Sequence, residues 1–180
     1  MLPVPQVLLD VAYPTMLPVA ILSLILATLL CGPVGRRLRT GPRVAWLLLA
    51  SVGGILALTI APSREALTTP ITGPITCDFS RLGLAPLSVY ARFEDPFFNI
   101  VVFVPLGFAI GLLPTGRPKL VLAIAALMLP LAIETTQAVV VAMGRACQSG
   151  DVFDNGFGAL IGLALGLVAF RLTAHSRTAP

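Results

Sequence analysis

The sequence predicts an all-α membrane fold: a polytopic bundle of five transmembrane helices, with the N-terminus outside and the C-terminus inside. Composition and the spacing of charges carry this expectation. Of the 180 residues, 57% are hydrophobic and 11% are charged, and the mean hydropathy is +0.96. Soluble domains carry roughly 25% charged residues, so this chain lacks the side chains to clothe a soluble surface. The charges are also clustered, which leaves five runs: 11–35, 44–63, 96–116, 120–144 with Glu134 alone inside it, and 155–170. A helix needs about 20 apolar residues to cross a hydrocarbon layer of ~30 Å. Five runs of this kind outweigh a buried soluble bundle and leave no room for a separate soluble domain.

The expected spans lie at about 14–34, 44–62, 96–113, 120–143 and 154–170, within a single membrane domain covering 1–180. Basic residues follow the first run, as Arg36-Arg37-Leu38-Arg39, whereas a cleaved signal peptide carries them before its apolar stretch. Leu30 stands where a lipoprotein acceptor at Cys31 would need a small residue, so Cys31 reads as an ordinary apolar-face cysteine. After the second span comes the one sizeable non-spanning segment, an outer loop over 62–95. Its stretch Thr68-Thr69-Pro70-Ile71-Thr72-Gly73-Pro74 has the texture of a loop. Leu82 to Arg92 is apolar enough to lie along the membrane surface, with Gly83 and Pro86 set against a regular helix. The remaining turns are short and imply antiparallel neighbours. Gly107 and Gly111 in the third span, and Gly158, Gly162 and Gly166 in the fifth, recur every four residues, which predicts close packing of these two helices. The halves share no repeat, which counts against an inverted-repeat transporter.

Orientation follows from the basic residues. Alternating spans put Arg36, Arg37, Arg39, Arg43, Arg117, Lys119, Arg171 and Arg177 on one side, and Arg64, Arg81, Arg92 and Arg145 on the other. The richer side is expected to be cytoplasmic. Asp10, Glu65, Asp78, Glu94, Asp95, Asp151 and Asp154 all fall on the opposite side. Cys77 and Cys147 also fall there, in a compartment that permits a bridge, so a Cys77–Cys147 disulfide is expected to pin the outer loop. The net charge of +4 points to anionic lipid at the cytoplasmic face rather than to nucleic acid.

Polar residues inside apolar spans are the candidates for function. An acid at the centre of a span costs roughly 2.5–3.5 kcal/mol and usually faces the protein interior. On one helix Glu134, Gln137, Val141 and Arg145 would share a stripe. Asp95 and Asn99 open the third span, while Asp151, Asp154 and Asn155 open the fifth, at the same depth. The expectation is one outward-opening pocket built from Asp95, Asn99, Glu134, Gln137, Arg145, Asp151, Asp154 and Asn155. A plainer reading is that Glu134 only cross-links helices and that the aspartates complement the positive end of the fifth helix dipole.

These residues also carry a resemblance. The string Asp95-Pro96-Phe97-Phe98-Asn99 through Pro105-Leu106-Gly107, then Glu134-Thr135-Thr136-Gln137, Arg145, and Asp151-Val152-Phe153-Asp154-Asn155-Gly156-Phe157-Gly158 resembles the VanZ-like family of membrane proteins. The motifs, within 95–166, are N-x5-P-L-G, E-x2-Q and D-x2-D-N-x2-G. The resemblance implies a multi-pass protein of the bacterial plasma membrane, in a family named for a protein that lowers susceptibility to the glycopeptide teicoplanin. Such antibiotics act at the outer leaflet on lipid-linked cell-wall precursors. The implied partner is therefore a membrane lipid or lipid-linked precursor, with the glycopeptide involved only indirectly, and the resemblance leaves the cofactor unknown.

Two functions follow. In the first, the pocket binds a polar head group, Arg145 pairing an anionic group while Glu134, Gln137 and Asn99 supply hydrogen bonds. In the second, the protein is an intramembrane enzyme with Glu134 as candidate catalytic base and Asp151 with Asp154 as candidate ligands of a hard metal cation such as magnesium. The only histidine is His175 and the familiar hydrolase motifs are missing, so such chemistry would run on carboxylates alone. Transport ranks last, because the inner halves of the spans are nearly bare of polar groups.

Overall fold

A computed structural model describes residues 16–62 and 76–176. The loop texture expected at Thr68–Pro74 and the start of the first span lie outside the described residues. The helices are α1 (Met16–Leu38), α2 (Pro42–Thr59), the single turn α3 (Leu87–Tyr90), α4 (Asp95–Gly111), α5 (Arg117–Val139) and α6 (Ser149–Ser176), with a 3₁₀ turn at Val141–Met143. Prolines open α2, α4 and α5, where the missing N–H has no helical partner to lose. Gly116, which precedes α5, sits at φ 149°, a conformation that side chains rarely adopt.

Among the described residues, four helices are long and apolar enough to cross a membrane: Met16–Leu38, Pro42–Thr59, Arg117–Val139 and Ser149–Thr173. The remaining expected span is the shorter apolar helix α4, of 17 residues. The helix ends also differ from expectation. Expected to run to 143, α5 stops at Val139, because Val140 leaves helical geometry (φ −95°, ψ 80°) and Gly144 turns the chain at φ 59°. Starting five residues before the expected 154, α6 takes Asp151, Asp154 and Asn155 into its first two turns. Of the apolar stretch Leu82–Arg92, only Leu87–Tyr90 forms a helical turn, entered from the extended Pro86.

The α4–α6 pair is the centre of the molecule. A methyl group added at Gly158, Gly162 or Gly166 would collide with the carbonyl of Ile100, Val104 or Phe108, and one at Gly107 with that of Ala159. Contacts that advance together along both chains mean that α4 and α6 run parallel, backbone against backbone, as the glycine spacing predicts. Between them the chain returns along α5. Phe103, Ile110, Ile133 and Ile55 fill the core shared by α2, α4 and α5. At the end where α4 finishes, the buried Lys119 ammonium donates to the carbonyls of Gly111 (2.6 Å) and Leu113 (2.9 Å) and lies 5.3 Å from the Phe170 ring centre. Carbonyls left over at a helix end are thereby satisfied.

The first two helices form a hairpin, with Gly53 against Ser23 and the Trp46 indole donating to Thr28 (3.1 Å). Much of the remaining surface of α1 is exposed, including Leu22, Ile25 and Leu29, as suits a helix facing hydrocarbon. Charge divides between the two ends of the bundle. Arg36, Arg37, Arg39, Arg43, Arg117, Lys119 and Arg171 gather at one, the basic end. The C-terminal ends of α2 and α5 meet the N-terminal ends of α4 and α6 at the other, with every described carboxylate.

Candidate functional site

Cys77 and Cys147 are joined by a disulfide, with Cα atoms 4.5 Å apart and a sequence separation of 70. The bridge lays the segment after Cys77 beside the start of α6. Asp78 N–H donates to Cys147 O (2.8 Å), Ser149 N–H donates to Asp78 O (2.9 Å), and the Ser149 hydroxyl donates to Arg81 O (2.7 Å). This places Arg81 over the first turns of α6. Its guanidinium donates to Asp154 Oδ2 (2.6 Å) and Gly83 O (2.7 Å) and passes 3.9 Å from Asp151. A side chain at position 150 would occupy that guanidinium's place, so Gly150 admits it.

The Tyr90 hydroxyl donates to Asp154 Oδ1 and accepts from Ala85 N–H (2.8 Å). Asp154 is 0% exposed, so both of its oxygens are engaged by the loop. Its hydrogen bond holds the Arg81 pKa above the usual arginine value, and burial, aided by the same carboxylate, raises that of Tyr90. Sequence reasoning counted Arg81 only as a basic residue of the outer loop and gave Tyr90 no role. The signal was present, since Arg81 lies four residues after one bridge cysteine and Asp154 seven after the other.

Beside this tie lies a cavity of about 390 Å³. Asn99 from α4, Glu134 and Gln137 from α5, Arg145 and Gln148 from the connection, and Asp151 and Asn155 from α6 form its polar wall, and Leu58, Phe98 and Val102 add apolar surface. Six of the eight expected residues therefore share one cavity. Two do not: Asp154 lies beneath Arg81 and Tyr90, and Asp95 is exposed in the first turn of α4. Arg145 reaches the cavity from beyond the broken helix end rather than along a continuous α5 stripe.

Each wall residue has a defined attachment. Glu134 is buried and its Oε2 accepts from Gln148 N–H (2.7 Å), so the connection folds back over the end of α5. Gln137 donates to Thr59 O (2.9 Å) and Arg145 Nε donates to Ala61 O (3.0 Å), tying down the C-terminal end of α2. These bonds run to backbone groups rather than between the wall side chains. Two donors are left over. Among the described residues, the buried Asn99 Nδ2 and Arg145 Nη2 have no partner at hydrogen-bond geometry, and the Asn99 side chain lies beside the Asp151 carboxylate. Burial pushes the Arg145 pKa below its usual value, and an arginine guanidinium stays charged at neutral pH.

Buried polar groups are nearly always paired, and an unmade hydrogen bond costs about 1–3 kcal/mol. Two orphaned donors on residues that line one cavity, one of them cationic, suit a ligand rich in acceptor oxygens. The expected cation pair of Asp151 with Asp154 does not fit, because Asp154 is held by Arg81 and Tyr90. Among the described residues, no group of three or more His, Cys, Asp or Glu is placed to hold a metal ion.

A family model described as VanZ/LLP1 matches residues 47–170. This range takes in α4, α5, α6 as far as Phe170, the disulfide and every wall residue of the cavity. No curated protein and no solved structure matches the chain.

Proposed function

The chain belongs to the VanZ/LLP1 family, and from that premise we propose that its cavity binds the polar head group of a lipid or lipid-linked cell-wall precursor. The observation that carries this is the pair of buried, unpartnered donors, Asn99 Nδ2 and Arg145 Nη2, in one wall. A phosphate or carboxylate oxygen would complete both, and its bond to the guanidinium would be of the strong, charge-assisted kind. With Asp154 committed to Arg81 and Tyr90, a carboxylate-only enzyme loses one of its acids, so the geometry favours binding.

The same reading makes α4 a membrane crossing too, the third of five through a bacterial plasma membrane, with the disulfide end outside. Supporting it are the parallel course of α4 and α6, the gathering of seven basic residues at the other end, and a disulfide that suits an oxidising compartment. The cavity then opens toward the leaflet where lipid-linked precursors are displayed, and occupying that head group lowers susceptibility to teicoplanin-type glycopeptides. The test is teicoplanin tolerance of a susceptible bacterial host with and without the gene. Wild type should raise tolerance, while Glu134→Gln and Arg145→Gln, inserted at normal levels, should not. Equal tolerance in all four strains would refute the reading.

A further inference from the structure

At the basic end the helices part. Between α1, α2, α4 and α5 they leave a second cavity of about 690 Å³, lined by Leu48 and Val52 of α2, Leu106 of α4, and Val121 and Leu129 of α5. Its wall is apolar except at one place. Arg37, from the last turn of α1, and Arg117, the first residue of α5, both line it. Both are exposed, and no described carboxylate pairs with either, because all of them lie toward the opposite end of the bundle.

The length of the groove is informative. On α5 it runs from Arg117 to Leu129, twelve residues or roughly 18 Å at ~1.5 Å per residue, which is slightly more than one leaflet of a ~30 Å hydrocarbon layer. An apolar slot of leaflet depth with two free guanidiniums at one end matches an amphiphile with an acyl chain and an anionic head. We infer that this groove is a binding site for an anionic glycerophospholipid, with the acyl chain along Leu48, Val52 and Leu129 and the phosphate at Arg37 and Arg117. The site is separate from the Asn99–Arg145 cavity and does not depend on its ligand.

A bound lipid would replace the missing contact between the α1–α2 hairpin and α5 at this end. General attraction of anionic lipid to the basic end would involve all seven cations there and would ignore the shape of the groove. The two are separated by purifying the full chain in detergent, adding phosphatidylglycerol or phosphatidylcholine, and counting retained lipids by native mass spectrometry. Wild type should hold one phosphatidylglycerol in preference to phosphatidylcholine. Arg37→Gln with Arg117→Gln should cut that preference about fivefold per guanidinium. Val121→Trp, which fills the slot from an exposed position, should abolish retention with every arginine in place. Glycerol phosphate without acyl chains should not compete.

Arg145→Gln should leave this retention unchanged, so failure of the outer cavity reading and failure of this one are distinguishable. An unfolding temperature within a few degrees of wild type, measured without added lipid, confirms that each variant is folded; for any variant that fails, Val121→Phe and the single arginine variants are read in the same way. Equal retention of the two lipids by wild type, or retention unaffected by Val121→Trp, would overturn the inference. So would a lipid-free dimer, showing a second copy seated in the groove.

Discussion

Arg81 shows how a loop residue becomes part of a helix bundle. Without it, the fully buried Asp154 carboxylate would keep only the Tyr90 hydroxyl as a described partner. Removing one member of a buried charge pair typically costs about 3 kcal/mol or more, while a single hydrogen bond to a charged group is worth about 1.5–3 kcal/mol. Because Arg81 is itself 28% exposed, Arg81→Gln should destabilise by about 2–3 kcal/mol, and Tyr90→Phe by less. Unfolding midpoints in detergent measure both. The pair should be less than additive, since both act on one carboxylate.

The hydroxyl also has a pH signature. Its pKa is raised above 10.0 in the fold, so its contribution is complete below pH 10 and is lost as pH rises through the higher folded value. Tyr90→Phe should flatten that alkaline decline. At this scale the sequence revealed Glu134, Gln137 and Asn99, because a polar group in an apolar run is costly and conspicuous. It hid Arg81 and Tyr90, because a loop without periodicity does not show which way its side chains turn.

At the scale of elements, the parallel pairing of α4 and α6 rests on glycines that could be read directly. Their four-residue spacing marks one face, and that face meets the carbonyls of Ile100, Val104 and Phe108. Gly162→Leu would drive a side chain into the Val104 carbonyl, so about 1–3 kcal/mol of destabilisation is expected, as for other overpacked sites. Gly156 has nothing within 4 Å of an added Cβ and belongs to the same helix, so Gly156→Ala should be nearly neutral. Thermal unfolding of the two variants side by side checks this; a stable Gly162→Leu would mean that the helices are not in this register.

The ends of α5 and α6 were harder to read, for physical reasons. Val140 to Met143 are apolar, so hydropathy continues through a backbone that has already left the helix. The first residues of α6, Ser149-Gly150-Asp151, are polar and look like loop, although serine and aspartate favour helix starts. This break brings Arg145 and Gln148 back over Glu134, and the cavity depends on it.

For the whole molecule, the division of charge between the two ends and the single disulfide describe one arrangement. A rigid α4–α6 pair carries one wall of the cavity, the end of α5 carries another, and the loop held by Cys77–Cys147 fixes the first turns of α6. Composition and charge spacing were enough to anticipate a membrane bundle and the disulfide, because both are long-range regularities of the chain. The division of labour between Asp151, which faces the cavity, and Asp154, which lies beneath it, emerges only when the loop is in place.

The central claim is that the two orphaned donors take an acceptor oxygen from a lipid-linked head group. The most direct measurement is binding of a polyprenyl-diphosphate-linked cell-wall precursor to the purified, disulfide-intact protein, compared with Arg145→Gln and Asn99→Leu. Loss of a charge-assisted hydrogen bond at Arg145 should weaken binding at least about tenfold, and loss of the neutral one at Asn99 by less. Equal affinity for wild type and both folded variants, or no binding by wild type, would contradict the account.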